Sequence, residues 1–130
     1  MVEVNEVMDM SESNHLDSYG NKRKHLLDLD LLSKSDIDAL LVQTEAMREV
    51  LKRDIKKVPT LRGRVVVTLF YESSTRTRIS FEEAGKILSA DVINMGASGS
   101  SVDKGESLLN TGLTLQAMGV DIIVIRHPHS

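Results

Sequence analysis

The chain has 130 residues, enough for one domain with a core of its own, and 41% hydrophobic with 27% charged residues fits a globular protein in water. A net charge of −3, aromatics at only 3% and no basic block beyond Lys22-Arg23-Lys24 argue against a nucleic-acid binder. Cysteine is absent, which excludes thiol catalysis, disulfides and cysteine metal sites, and no apolar run reaches membrane-spanning length.

Residues 1–24 are polar, acidic and aperiodic, and read as a disordered extension. They carry no signal-peptide hydrophobic region, and Glu3, Glu6, Asp9, Glu12 and Asp17 disfavour a transit peptide, so a cytoplasmic protein is expected. Ile37, Leu40, Leu41, Met47 and Leu51 fall on one helical face, with Ser35 as the expected N-cap and Pro59 closing the segment. A β-branched run at 64–70 predicts a strand, followed by a helix over 75–89 in which Phe81, Ala84 and Leu88 share a face. A short strand at 91–95 leads into a Gly/Ser-rich loop at 96–104. The next helix is expected from Gly105 to Met118, with Gly119 as its C′ residue, and the last strand at 120–125.

This β-α-β-α-β order, with strands that read as continuous Val/Ile runs, predicts an α/β fold: an open parallel sheet with helices on both faces. Ligands bind such sheets beyond the carboxyl ends of the strands. Ser74-Thr75-Arg76-Thr77-Arg78, the 96–104 loop and Arg126-His127-Pro128-His129 all fall there, so three polar clusters share one rim.

The first cluster is unusual. The positive end of a helix dipole favours Asp or Glu, yet Arg76 and Arg78 stand in the opening turn. Hydroxyls, free N–H groups and guanidinium groups converging on a helix start make a receptor for a multivalent anion. Ordinary N-capping is the plainer account of Ser74 and Thr75 taken alone. Arg78 points away from Arg76 and suits an ion pair with Glu82 at i+4. His127 and His129 are spaced like metal ligands but lack a nearby carboxylate or cysteine, so no metal is expected; His127 better suits orienting the strand end or an indirect contact with substrate. Glu72 reads as a structural contact at the site entrance, and His15 and His25 as surface residues.

Residues 69–83, Ser100-Ser101-Val102-Asp103-Lys104-Gly105-Glu106 and Arg126-His127-Pro128 resemble the carbamoyl-phosphate half of the aspartate/ornithine carbamoyltransferase family. Lys-Gly-Glu and Arg-His-Pro favour the aspartate branch over the ornithine branch. The resemblance covers about residues 24–130, implying an extension at 1–24 and an incomplete carbamoyl-phosphate-binding domain at 25–130. The chain stops at Ser130, before the family's His-Pro-Thr-Gln segment and its aspartate-binding domain; a complete member needs roughly 300 residues.

The resemblance implies carbamoyl transfer from carbamoyl phosphate to the aspartate amine, without a cofactor, and expects the present chain to be inactive alone. It assigns Ser74, Thr75, Arg76, Thr77 and Arg126 to carbamoyl phosphate, with Arg76, Thr77 and Arg126 catalytic. It assigns Ser100 and Lys104 to a neighbouring subunit's site within a homotrimer, with Ser101 the alternative to Ser100. On composition alone the same loop reads as a solvated connector. A carbamoyl-phosphate-binding module without chemistry, or an ornithine-type fragment, are the competing readings. With the partner domain missing, exposed apolar surface is expected.

Overall fold

Ser33 opens the first helix, α1 (Lys34–Leu51), by a reciprocal capping box. Its Oγ accepts from the Asp36 N–H at 3.2 Å, while the Asp36 carboxylate accepts from the Ser33 N–H at 2.8 Å. Ser33, not the expected Ser35, is therefore the cap: Asp38, three residues beyond Ser35, is taken by Lys34 instead. The structure, a computed structural model, describes residues 25–96 and 107–128. Among the described residues, those up to Lys56 form one unit and those from Lys57 a second. In the first, exposed pairs Lys34–Asp38, Glu45–Arg48 and Glu49–Lys52 each add about 0.3–0.5 kcal/mol to α1. Ile37, Leu40, Leu41 and Leu51, on its expected apolar face, are exposed.

The second unit contains β1 (Val65–Phe70), α2 (Thr75–Ile87), β2 (Asp91–Gly96), α3 (Leu108–Ala117) and β3 (Ile122–Arg126). All pairings are parallel, in the order β2-β1-β3. The central strand is largely apolar with one hydroxyl, Thr68, and every residue from Val66 to Phe70 is buried.

Alternation along β1 sends side chains to two helices. Val67 and Leu69 pack with Leu115 of α3 and Val120, joined by Val65, Tyr71, Met95 and Ile123. Burying a side chain such as Val67 or Leu69 is worth about 1.5–3 kcal/mol. On the opposite face Thr68 reaches α2 through Asn94, and Gly85 of α2 lies against Val92 of β2. Helices thus cover both faces, as expected.

Gly85 permits that approach. A Cβ there would stand 2.6 Å from Val92 Cγ2, well inside contact distance. Gly85→Ala is expected to cost about 1–3 kcal/mol through overpacking. A urea midpoint equal to that of the unmodified chain would contradict this close fit.

Several element ends differ from the periodicity, most by a single residue. α3 starts at Leu108 rather than Gly105, because Ser107 Oγ caps it by accepting from the Asn110 N–H at 3.2 Å. α2 stops at Ile87, and Ser89 takes a left-handed φ of 67° while its hydroxyl donates to the Val58 carbonyl at 2.9 Å. β3 runs 122–126 rather than 120–125. Asp121 is occupied at the strand entrance, accepting from the Val65 N–H at 2.8 Å and from Arg64 Nη1 at 3.0 Å. Gly119, with φ 83°, fills the expected C′ position. Leu109 and Leu113 of α3, Met118 at its C-cap, and Ile93 and Ile125 of the sheet are exposed.

Candidate functional site

The parallel register places Arg126, at the end of β3, beside Phe70, at the end of β1. The Tyr71 N–H donates to the Arg126 carbonyl at 2.9 Å, so the two strand ends leave the sheet together. Four residues past Phe70 the chain turns into α2, whose N-cap is Ser74. Arg126, written far along the chain, thereby meets the opening turn of α2.

Ser74 does not cap its helix by side chain. Its hydroxyl instead donates to Thr77 Oγ1 at 2.9 Å. The first intrahelical bond runs from the Arg78 N–H to the Ser74 carbonyl at 3.0 Å, so the N–H groups of the first turn have no side-chain cap. Plain N-capping is thus not what the hydroxyl run does here. Arg126 Nη1 lies 3.2 Å from Ser74 Oγ and 3.4 Å from Thr77 Oγ1, both reachable as acceptors.

Glu72 completes the cluster. Its carboxylate forms an ion pair with Arg126 Nε and leaves the Nη1 edge of the guanidinium facing the two hydroxyls. A carboxylate after a strand end gives no sequence signal of which cation it will meet; the β1–β3 register decides that. Arg76 is exposed and has no ion-pair or hydrogen-bond partner for its side chain among the described residues. Thr75 is exposed on the same turn. Two guanidinium groups, three hydroxyls and uncapped N–H groups, offset by one carboxylate, suit a compact anion with several oxygens.

The expected Arg78–Glu82 pair does not form. Glu82 instead accepts from Lys86 Nζ at 2.5 Å and from Asn94 Nδ2 at 2.7 Å. The bond from Lys86, then that from Asn94, hold the Glu82 carboxyl below its ordinary range. Glu followed by Lys at i+4 is the favoured order on a helix, whereas Arg78 precedes Glu82. Arg78→Ala is accordingly expected to change unfolding free energy by less than about 0.5 kcal/mol. A larger loss in a denaturant titration would restore a structural role to Arg78.

His127 packs edge-on against the Tyr71 ring, with centroids 4.8 Å apart at 61°, which fits the orienting role expected of it. Among the described residues no three His, Asp or Glu side chains gather as metal ligands, and no helix is long and apolar enough to cross a membrane. His25 is half-buried rather than a surface residue. Ser100, Ser101, Lys104, His15, His129 and the 1–24 extension lie outside the described residues.

The family described as aspartate/ornithine carbamoyltransferase, carbamoyl-P binding domain, matches residues 24–130. The aspartate carbamoyltransferase catalytic subunit of Roseiflexus castenholzii is 58% identical over 110 residues, covering 85% of this chain and 35% of the relative. That of Corynebacterium glutamicum is 62% identical over 108 residues, covering 82% and 35%. Among solved structures, the catalytic subunit of M. jannaschii aspartate transcarbamoylase superposes with a TM-score of 0.73 at 41% identity, covering 83% of this chain and 36% of that one. The Trypanosoma cruzi aspartate transcarbamoylase in complex with carbamoyl phosphate gives 0.68 at 36% identity, covering 76% and 30%. The chain spans about a third of the length of these relatives.

Proposed function

Because the chain belongs to the aspartate/ornithine carbamoyltransferase family, through its carbamoyl-phosphate-binding domain, we propose that it binds carbamoyl phosphate at the start of α2. In a longer polypeptide or assembly that supplies the amine site, it serves carbamoyl transfer to aspartate. The observation that carries this reading is the meeting of Arg126 with Ser74 and Thr77 at a helix N-terminus left without a side-chain cap. Structures of the T. cruzi relative hold carbamoyl phosphate, aspartate, and carbamoyl aspartate with phosphate, which supports the same substrates here.

In the reaction, the neutral amine of aspartate attacks the carbonyl carbon of carbamoyl phosphate and forms a C–N bond. The C–O bond to the phosphate then breaks, phosphate departs with that electron pair, and the proton lost by the amine passes to the departing phosphate. Ser74, Thr75, Arg76 and the first-turn N–H groups hold the phosphate oxygens. Thr77 and Arg126 reach the carbonyl oxygen, drawing charge onto it as the tetrahedral carbon forms. Stabilising that oxygen and the departing phosphate by fixed dipoles and charges is where such a site gains rate.

Arg126 is shared between Glu72 and the hydroxyls in the free site. An arriving dianion competes with Glu72 for the same guanidinium, so binding costs part of that ion pair. Ser100 and Lys104 are read as contributions to a neighbouring subunit's site in a homotrimer, and the setting as cytoplasmic pyrimidine synthesis. These rest on family resemblance and on the shared Lys-Gly-Glu sequence. Sedimentation of the chain, alone and with the remaining part of a full-length relative, tests the trimer; a complex that stays monomeric would contradict it.

A further inference from the structure

A second polar chain of contacts starts in the middle of the sheet. Thr68 of β1 is fully buried, and its hydroxyl meets Asn94 Oδ1 of β2 at 2.5 Å. The register sets these two residues directly opposite each other. Asn94 Nδ2 then donates to Glu82 Oε2 of α2 at 2.7 Å, and Lys86 Nζ donates to the other Glu82 oxygen at 2.5 Å. One continuous run of hydrogen bonds thus ties the core of the sheet to the outward face of α2. Nothing in the carbamoyl-phosphate site touches it, since Glu82 lies about two turns down the helix from Thr75.

Its consequence is geometric. Ser74 and Thr77 ride on α2, whereas Arg126 rides on β3, bonded to β1. The distances from Arg126 Nη1 to the two hydroxyls therefore depend on how far along the sheet α2 is set. Gly85 against Val92 fixes the height of the helix above the sheet, and the Val58 and Leu61 N–H groups, donating to the Ile87 and Leu88 carbonyls at 2.8 Å, hold its C-terminal end, which leaves sliding of the opening turns to be resisted nearer the site. A hydrogen bond of fixed length from Asn94 to Glu82 resists it directly. We propose that Asn94 and Glu82 are positioning residues that set α2 along the sheet and so fix the spacing between Arg126 and the hydroxyls of Ser74 and Thr77. The ligand named in the test rests on the carbamoyl-phosphate reading; the spacing itself does not.

The test exchanges the polarity of the bond. Asn94→Asp keeps the oxygen that faces Thr68 but turns a carboxylate against the Glu82 carboxylate. Glu82→Gln alone still accepts from Asn94 and serves as the control. With both substitutions, the amide introduced at position 82 donates to the carboxylate introduced at position 94 and rebuilds the bond in reverse. Inorganic phosphate is titrated into the whole chain by calorimetry, with thermal midpoints measured alongside. E82Q is expected to bind within about threefold of the unmodified chain, N94D about tenfold more weakly, and N94D/E82Q to recover to within about threefold, because small misplacements of binding groups are costly. A lower thermal midpoint in N94D with phosphate affinity unchanged would mark a merely structural contact and overturn the inference. So would a double variant that binds no better than N94D.

If N94D is too unstable to titrate, Thr68→Val, which cuts the same run without adding charge, is expected to weaken phosphate binding measurably. Unaltered affinity there would overturn the inference. If the unmodified chain binds no phosphate, the carbamoyl-phosphate reading fails instead. The amide resonances of Thr75, Arg76 and Thr77 then decide the positioning claim without ligand. They should move in N94D and return in the double variant, and resonances that stay in place would overturn it.

Discussion

Arg76→Ala is expected to remove about 2–4 kcal/mol of phosphate and carbamoyl-phosphate binding, roughly 30- to 1,000-fold in affinity, when titrated by calorimetry. Arg76 stands exposed on the opening turn of α2 with no partner among the described residues, so its donors are available to a ligand at no cost in broken protein contacts. Charge-assisted bonds from a planar fork to phosphate oxygens are the strong class of hydrogen bond. Arg76→Lys keeps the charge but loses the fork, and should fall between the two. Arg126→Ala is expected to cost at least as much, because it also leaves the Glu72 carboxylate unpaired beside the incoming dianion. Equal affinity for Arg76→Ala and the unmodified chain, or a larger loss for Arg78→Ala, would mean the two arginines have exchanged roles.

Carbamoyl transfer shows the other large effect. The 130 residues assayed alone with carbamoyl phosphate and aspartate should form no N-carbamoylaspartate above background. Holding two reactants in an attack geometry supplies up to about 7–11 kcal/mol of a bimolecular barrier. The described residues gather an anion site but no second cluster of cations aimed at an amino-acid substrate beside it. Adding the remaining two-thirds of a relative's catalytic subunit in trans should restore turnover, a change from undetectable to measurable rate. Turnover by the 130 residues alone would show that the amine needs no further domain. Failure of complementation, with phosphate binding intact, would favour a binding module without chemistry.

Much of the fold is legible in the sequence because it rests on local rules. The Val65–Phe70 run announces a strand buried on both faces, and Gly119 announces a helix end, since both depend on neighbouring residues only. The site is legible for a different reason. Any parallel sheet brings strand ends to one rim, so Arg126 and the Ser74–Thr77 turn fall on the same edge whatever the register.

Contacts between elements are harder to read. Glu72 with Arg126 follows from the β1–β3 register and Asn94 with Glu82 from the packing of α2 on β2, and no spacing within the chain encodes either. The Glu82 partner is a choice between two residues at the same separation, decided by helix direction, which favours Lys86 over Arg78. The N-cap of α1 is readable yet easily misassigned: Ser33 and Ser35 each have an aspartate three residues on, Asp36 and Asp38, so the capping-box spacing alone does not separate them.

The central claim is that a dianion docks where α2 begins. Nitrogen-15 NMR spectra of the chain, recorded as carbamoyl phosphate is added, address it residue by residue. The largest shifts should fall on the amides of Thr75, Arg76 and Thr77 and on Arg126 Nε, saturating together. Shifts centred on the basic Lys52–Lys57 segment, with the α2 opening turn silent, would contradict it.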